Sequence, residues 1–409
     1  MSASTSASHG PPAAVADATG PAAANAAPSV TAPRAIALVA AIEIAGALFL
    51  RQFLLAEDWR VVVGLLALFG CALVAMQARP LWEARIEAAF AGQARLATLL
   101  GLAIVLVFPF VVEKSTYALH LLVLAQLYAV LALALNFQLG SANIPNFATG
   151  ASYGIGAYAS ALLALNWDVS FWLALPAAAI VATVFGFLLG VPSMRTRESY
   201  LALVTIAFGV VIHQLLNNLD FTGGPNGLVG IPAPELFGHS FASPLVILGY
   251  ELPSQANFYY LSALLVGIAI LFARRVHDSA VGLAWNAIRA DELAARCQGI
   301  NTTWYKVLAF AVDAFLAGFA GTIYAFYVGF ISPDNFTFLV SVTIMTMVIA
   351  GGMDNTLGVI VGAFLLTLLP EKLRAFSDYR ILFFGVTVIA FLMIRPQGLF
   401  PQRLRRYGA

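Results

Sequence analysis

The chain has 409 residues, 61% of them apolar and only 10% charged, with 21 basic and 20 acidic side chains and a formal net charge of +1. A soluble domain averages roughly 45–50% apolar and 25% charged residues, so a fold surrounded by water is excluded, and without a basic patch nucleic-acid binding has nothing to rest on. Two cysteines, Cys71 in an apolar run and Cys297 in a polar segment, build neither a Cys-rich metal site nor a disulfide framework.

In chain order, Met1 to Pro33 is rich in Ala, Ser, Thr and Pro and carries the single charge Asp17. Such a segment cannot bury enough surface to offset its ordering entropy and is expected to be a disordered tail (residues 1–33). A cleaved signal peptide needs a basic start and an apolar stretch near Met1, and neither precedes Arg34. Ala35 to Leu50 is therefore expected to be a retained first span.

Further apolar runs open near Val61, Leu96, Tyr117, Phe147, Phe171, Tyr200, Phe258, Tyr305, Phe338, Leu357 and Ile381. Runs such as Leu96 to Val112 and Phe171 to Gly190 approach the roughly 20 residues a helix needs to cross hydrocarbon. The expected fold is all-α, a polytopic transmembrane helix bundle of about ten to twelve spans including short or broken helices. Phe338 to Ala350 and Leu357 to Leu369 are the short ones, suited to tilted, broken or re-entrant helices around a pathway.

Of the basic residues only Lys114, Lys306 and Lys372 are lysines. The arginines gather in Arg79 to Arg95, at Arg195 and Arg197, from Arg274 and Arg275 onward, and at Arg403, Arg405 and Arg406. The bias of basic loops toward the cytoplasm predicts both termini inside and the long loop Asn217 to Ala256 outside. Glu113 and Lys114 form a mixed-charge exception on an outer loop. In that outer loop Thr222, Gly223, Gly224, Pro225, Asn226 and Gly227 run together, a density of turn formers that predicts a shaped loop, either a plain turn or a docking or gating surface.

Between two strongly apolar runs, Asp278 to Asn301 reads DSAVGLAWNAIRADELAARCQGIN. Helical spacing places Leu283, Trp285, Ile288, Leu293 and Ala294 on an apolar face, and Arg289, Asp291, Glu292 and Arg296 on a polar one. Such a helix can lie across the end of a bundle and enter a partner's groove; composition alone fits an ordinary interfacial helix at least as well.

Other segments raise competing chemistry. Gly150-Ala151-Ser152-Tyr153-Gly154 fits the G-x-S-x-G pattern of serine hydrolases, but that nucleophile needs a strand-to-helix turn and this serine lies in an apolar helical run. Gly150, Gly154, Gly156 and Ala159, and likewise Gly358 and Gly362, are better read as close helix contacts. Glu43, His120, His213 and Asp313 are ionisable groups within or at the ends of spans, with Asp313 the deepest. Asn136 to Asn146 joins two spans through turn formers; Asn143 and Asn146 are nominated with Asp313 for a solute pathway, a plain loop being the alternative. No lysine follows a glycine turn as a phosphate-cradling loop requires, so this chain is not expected to hydrolyse ATP or to bind a cofactor of its own.

Ala294-Ala295 followed by Gly299 resembles the coupling loop of bacterial ABC import permeases, with Leu293 where an acidic residue often stands. Ala287 to Glu292, Gln298 to Asn301, Gly190 to Arg197 leading into Tyr200 to Thr205, Thr222 to Gly227, and Ile394 to Phe400 are together similar to the M-type permease of high-affinity branched-chain amino acid importers. The likeness runs from about Tyr117 to Pro401. It implies a permease core over residues 96–401 with a cytoplasmic coupling segment 278–301, preceded by variable spans and a basic connection (34–95) and followed by a basic tail (402–409). It further implies a multi-pass protein of the bacterial inner membrane that translocates leucine, isoleucine or valine by alternating access. The implied partners are a homologous second permease, two ATPase subunits that use the ATP, a periplasmic substrate-binding protein and the lipid bilayer. Arg289, Asp291, Glu292, Ala294, Ala295 and Gly299 would face the ATPase. The alternatives are a permease for urea or other small amides, and a proton-coupled secondary transporter using Asp313 or Glu43.

Overall fold

A computed structural model describes residues 32–56, 58–77, 85–86, 88–90, 92–112, 115–193, 198–247 and 249–372, with positions 382, 385–386, 389, 393 and 398–400. The tail 1–31, the loop with Arg195 and Arg197, the pair Glu113 and Lys114, most of the run from Ile381, and the basic tail 402–409 lie outside the described residues.

The architecture is an all-α bundle. Its helices are α1 (Ala32–Leu55), α2 (Trp59–Gln77), α3 (Ala94–Val111), α4 (Thr116–Asn136), α5 (Thr149–Trp167), α6 (Phe171–Ser193), α7 (Glu198–Asn218), α8 (Gln255–His277), α9 (Ala280–Ala290), α10 (Glu292–Cys297), α11 (Thr302–Val328), α12 (Phe338–Gly351) and α13 (Thr356–Lys372). Among the described residues eight helices are long and apolar enough to cross a membrane. Of the other expected spans, α13 stops at 17 residues, the apolar part of α2 is Arg60–Ala72, and α5 is diluted by glycine, serine and tyrosine.

Alanine and leucine dominate these segments, the residues that lose least on entering a helix. Local signals set the ends: Ser115 caps α4 by accepting from the Ala118 amide, Asn301 caps α11 through the Trp304 amide, and α5 ends where Asp168 turns left-handed. The centre is α11, clasped by α5 and α6. Small residues let backbones touch there: a methyl at Gly156 would lie 2.5 Å from Gly318 Cα, and one at Gly186 would lie 2.4 Å from Ala314 Cβ. Beside them α4 is apolar all round and almost wholly buried, packed on α8 and α13.

Two elements break the pattern of simple spans. The α4 helix does not end in a loop at Asn136, as its turn formers predict, but continues as a π-helical turn Phe137–Ser141. Only residues 142–148 leave helix, as an irregular connection that leads to α5. At the opposite end of the bundle, β6 (Phe330–Ile331) and a 3₁₀ turn at Pro333–Phe336 lead from α11 into the 14-residue α12; back beside Asn136 and the π-turn, residues 352–355 reverse the chain into α13. The short spans are thus arms of a tight hairpin.

The remaining strands belong to the segment between α7 and α8. β1 (Leu228–Val229) pairs antiparallel with β6, β2 (Glu235–Leu236) with β3 (His239–Ser240), and β4 (Leu245–Ile247) with β5 (Tyr250–Leu252). The amino-terminal helices are tied on by a few bonds: Lys372 Nζ donates to Leu54 O and Ala56 O, and Tyr259 and Tyr260 donate to α3 carbonyls.

Candidate functional site

Three regions carry the nominated residues. The first lies inside the bundle, where α5 begins. Its entry is organised by Asn146, whose Oδ1 accepts from the Ala148 amide at 2.8 Å; this contact sets which way the carboxamide points. Asn146 Nδ2 then donates to Asp313 Oδ2 on α11 at 2.8 Å, and Thr149 Oγ1 donates to the same oxygen at 3.0 Å. Asn146, Thr149 and Asp313 are all buried, and Asp313 Oδ1 has no hydrogen-bond partner among the described residues. The Gly150 amide donates to Ser341 Oγ of α12 at 2.9 Å and the Phe147 amide to Thr205 Oγ1 of α7 at 3.1 Å, so four helices meet at this point.

Asn143 does not join this cluster. It is exposed, at φ 55° in the left-handed region that Asn tolerates, and serves the turn out of α4. Ser152 is buried within α5, on a helix and not on a strand-to-helix turn. His120 Nδ1 lies 2.7 Å from Tyr327 Oη, and His213 Nε2 lies 3.7 Å from Asp334 Oδ1, pairings that bind spans together. Glu43 borders an apolar cavity between α1 and α3.

The second region is the arginine-bearing end, and here the single helix expected over residues 278–301 is corrected. Two helices form, because Asp291 leaves helical geometry (φ −163°, ψ 111°) and caps α10 by accepting from the Leu293 and Ala294 amides at 2.8 and 3.0 Å. The break rotates the second half. Trp285, Ile288 and Ala295 are buried, Trp285 donating from Nε1 to Tyr305 O at 2.8 Å. Leu283, Leu293 and Ala294, read from spacing on one apolar face with Trp285 and Ile288, point outward instead of sharing their burial, Leu293 being 72% exposed. Gly299, at φ 83°, makes the turn into α11.

Charges lock this elbow to the bundle. Glu292 accepts from Arg296 Nη2 at 2.6 Å and from Lys306 Nζ of α11 at 2.5 Å. Burial alone would raise the Glu292 carboxyl, but Lys306 and Arg296 outweigh it and hold the group below its ordinary value. Arg289 Nη1 reaches Asp354 Oδ2 at 3.3 Å in the α12–α13 turn. Asp354 also accepts from Ser141 Oγ at 2.8 Å, lies 3.9 Å from His277 Nδ1, and donates its amide to Asn136 Oδ1 at 2.8 Å. One half-buried carboxylate therefore joins α9, the end of α8, the π-turn of α4 and the short-helix hairpin. It borders a polar cavity of about 250 Å³. Sequence reasoning missed Asp354, Thr149, Ser341 and Lys306; the run Gly351-Gly352-Met353-Asp354-Asn355 between two short apolar runs was the available signal for the first.

The third region is the loop after α7. Two successive 3₁₀ turns, Asp220–Thr222 and Gly224–Asn226, are joined by Gly223 at φ 80°, and a methyl at Gly227 would lie 2.0 Å from Ile331 O. With β1 paired to β6, the loop is a built surface, as its turn formers predict.

A family model described as the permease component of the branched-chain amino acid transport system matches residues 117–392. The chain belongs to this family. It is 39% identical over 319 residues to the high-affinity branched-chain amino acid transport system permease protein LivM of Escherichia coli, covering 75% of this chain and 74% of that protein. A probable LivM permease of Methanocaldococcus jannaschii is 25% identical over 68% of this chain and 91% of its own length. The second type of permease, LivH of Escherichia coli, is 26% identical over 68% of this chain and 92% of its own. No solved structure matches the chain. The permease is thus of the M type and a multi-pass membrane protein, and the matched region contains all three sites described above.

Proposed function

We propose that this permease translocates leucine, isoleucine or valine across the bacterial inner membrane by alternating access, driven by two separate ATPase subunits. The observation that carries this reading is the α9–α10 elbow. It offers Leu293 and Ala294 outward while Arg289 holds Asp354 of the short-helix hairpin. A nucleotide-driven push on the outward face has a rigid route through Trp285 and Asp354 to α12 and to the π-turn of α4. The arginines of this end support a reading in which it lies in the cytoplasm with both termini, and the loop of Gly223 to Asn226 then faces the periplasm, where a substrate-binding protein delivers the solute. Arg289, Asp291, Glu292, Ala294, Ala295 and Gly299 shape the ATPase contact; Asn146 and Asp313 border the pathway. The second permease is a homologue of the H type, and ATP is bound by the ATPases alone.

The test is uptake by the complete complex in liposomes. Leucine accumulation that requires ATP and a binding protein, and that persists with a protonophore, is the expected result. Uptake that ignores ATP and collapses with the proton gradient sinks the importer reading in favour of proton coupling through Asp313 or Glu43. Urea uptake without leucine uptake would reassign the substrate. Arg289→Ala is expected to keep assembly and basal ATP hydrolysis but to lose most of its substrate-stimulated uptake.

A further inference from the structure

The Asp313 centre has features that a purely structural contact does not need. Its Oδ2 is satisfied by two donors, while Oδ1, in a side chain 1% exposed, has none. No basic side chain among the described residues is ion-paired with it. A carboxylate held in an apolar interior calls for a cationic partner, and two neutral donors on one oxygen leave the other oxygen as the point of attachment.

The surroundings supply the opposite charge. Counting 1.5 Å per helical residue, Asp313 lies about 17 Å along α11 from Thr302, and the start of α12 lies about 20 Å from its end at Gly351. Both depths fall within a hydrocarbon layer about 30 Å thick. There α5 and α12 begin in contact, Gly150 against Ser341, so two helix N-termini converge on one place inside the bundle. The N-terminus of α12 receives no side-chain cap from Thr337 and so presents partly positive amides. Breaks in helices at this depth are tolerated where they line a solute path.

We propose that this junction is the zwitterion subsite of the pathway, with Asp313 Oδ1 taking the α-ammonium group of an amino acid and the N-terminus of α12 facing its carboxylate. The proposal rests on the transport reading and narrows it. A neutral amide such as urea brings no ammonium group to Asp313, so the site selects α-amino acids. Asn146 and Thr149 are positioning residues that hold the carboxylate through Oδ2.

The experiment uses the complete reconstituted complex with leucine. Asp313→Asn keeps the shape and removes the charge; leucine uptake is expected to fall roughly tenfold to a hundredfold, the weight of a lost charge-assisted bond. Asp313→Glu is expected to restore part of the loss, which a packing role would not. Wild-type uptake in Asp313→Asn overturns the proposal. Uptake that requires sodium or potassium, or that a protonophore abolishes while ATP is present, also overturns it, because Oδ1 then holds a metal ion or a proton. If Asp313→Asn does not assemble, labelling of Asp313 by a membrane-permeant carbodiimide in the wild-type complex decides: slowing by leucine but not by urea supports the subsite, and equal labelling or none overturns it. A wild-type complex that takes up no leucine at all refutes the transport reading instead.

Discussion

Glu292 shows how one carboxylate is made to serve a fixed geometry. Its partners Lys306 and Arg296 belong to α11 and α10, so ionisation of Glu292 fastens the elbow to the central helix. Because its folded-state pKa is lowered, this stabilisation is present at neutral pH and is lost as pH falls below the ordinary glutamate value of about 4.3 toward the lowered one. The protection of amides 291–301 relative to their intrinsic exchange rates is expected to be high at neutral pH and to fall on acidification. In Glu292→Gln it should be lower at neutral pH and nearly indifferent to acid. The sequence placed Glu292 in a polar helix face but could not pair it, since Lys306 is 14 residues away across a turn. Asp313 was legible as a deep charge; that Asn146 meets it depends on residues 167 apart in the chain.

Elements were more legible than contacts. Long apolar runs announced α3, α4, α6, α8 and α11, and small residues in α5 announced close packing. What they packed against was invisible: Gly156 faces Gly318, and Gly321 faces Tyr153. Gly156→Leu is therefore expected to push α5 from α11 and destabilise the bundle by about 1–3 kcal/mol or more. The check is a lower thermal unfolding midpoint of the purified protein, with Gly101→Leu, where a methyl meets nothing within 4 Å, as the neutral control. Residues 278–301 do not form a single helix for a local reason. Asp291 competes for the backbone amides of the next turn, which ends one helix and starts another. Periodicity read across that break put Leu293 and Ala294 on one face with Trp285 and Ile288, which are buried while they are exposed.

For the whole molecule, the two cysteines report orientation. Both are exposed, Cys297 on the elbow and Cys71 on the apolar α2. A membrane-impermeant maleimide is expected to label Cys297 from the cytoplasmic side only and to leave Cys71, shielded by lipid, largely unreacted in either vesicle orientation. Labelling of Cys297 from the periplasmic side would invert the topology and remove the elbow from any ATPase. Composition and arginine placement were enough to raise this question, because the cost of charge in hydrocarbon acts on each segment separately.

The same locality marks what the sequence by itself determined: a membrane helix bundle, an M-type permease by its ordered motifs, a turn-rich loop and a polar segment beside the arginines. Transfer of a segment to lipid and the chemistry of a turn are properties of neighbouring residues. Tertiary structure alone decided that α5 and α12 begin face to face, that Asn146 and Thr149 saturate one oxygen of Asp313, and that Asp354 joins four elements. Those are meetings between residues more than 160 positions apart in the first centre and up to 218 apart at Asp354. Hydrogen bonds of that kind follow from how the helices cross, which no short window of sequence contains.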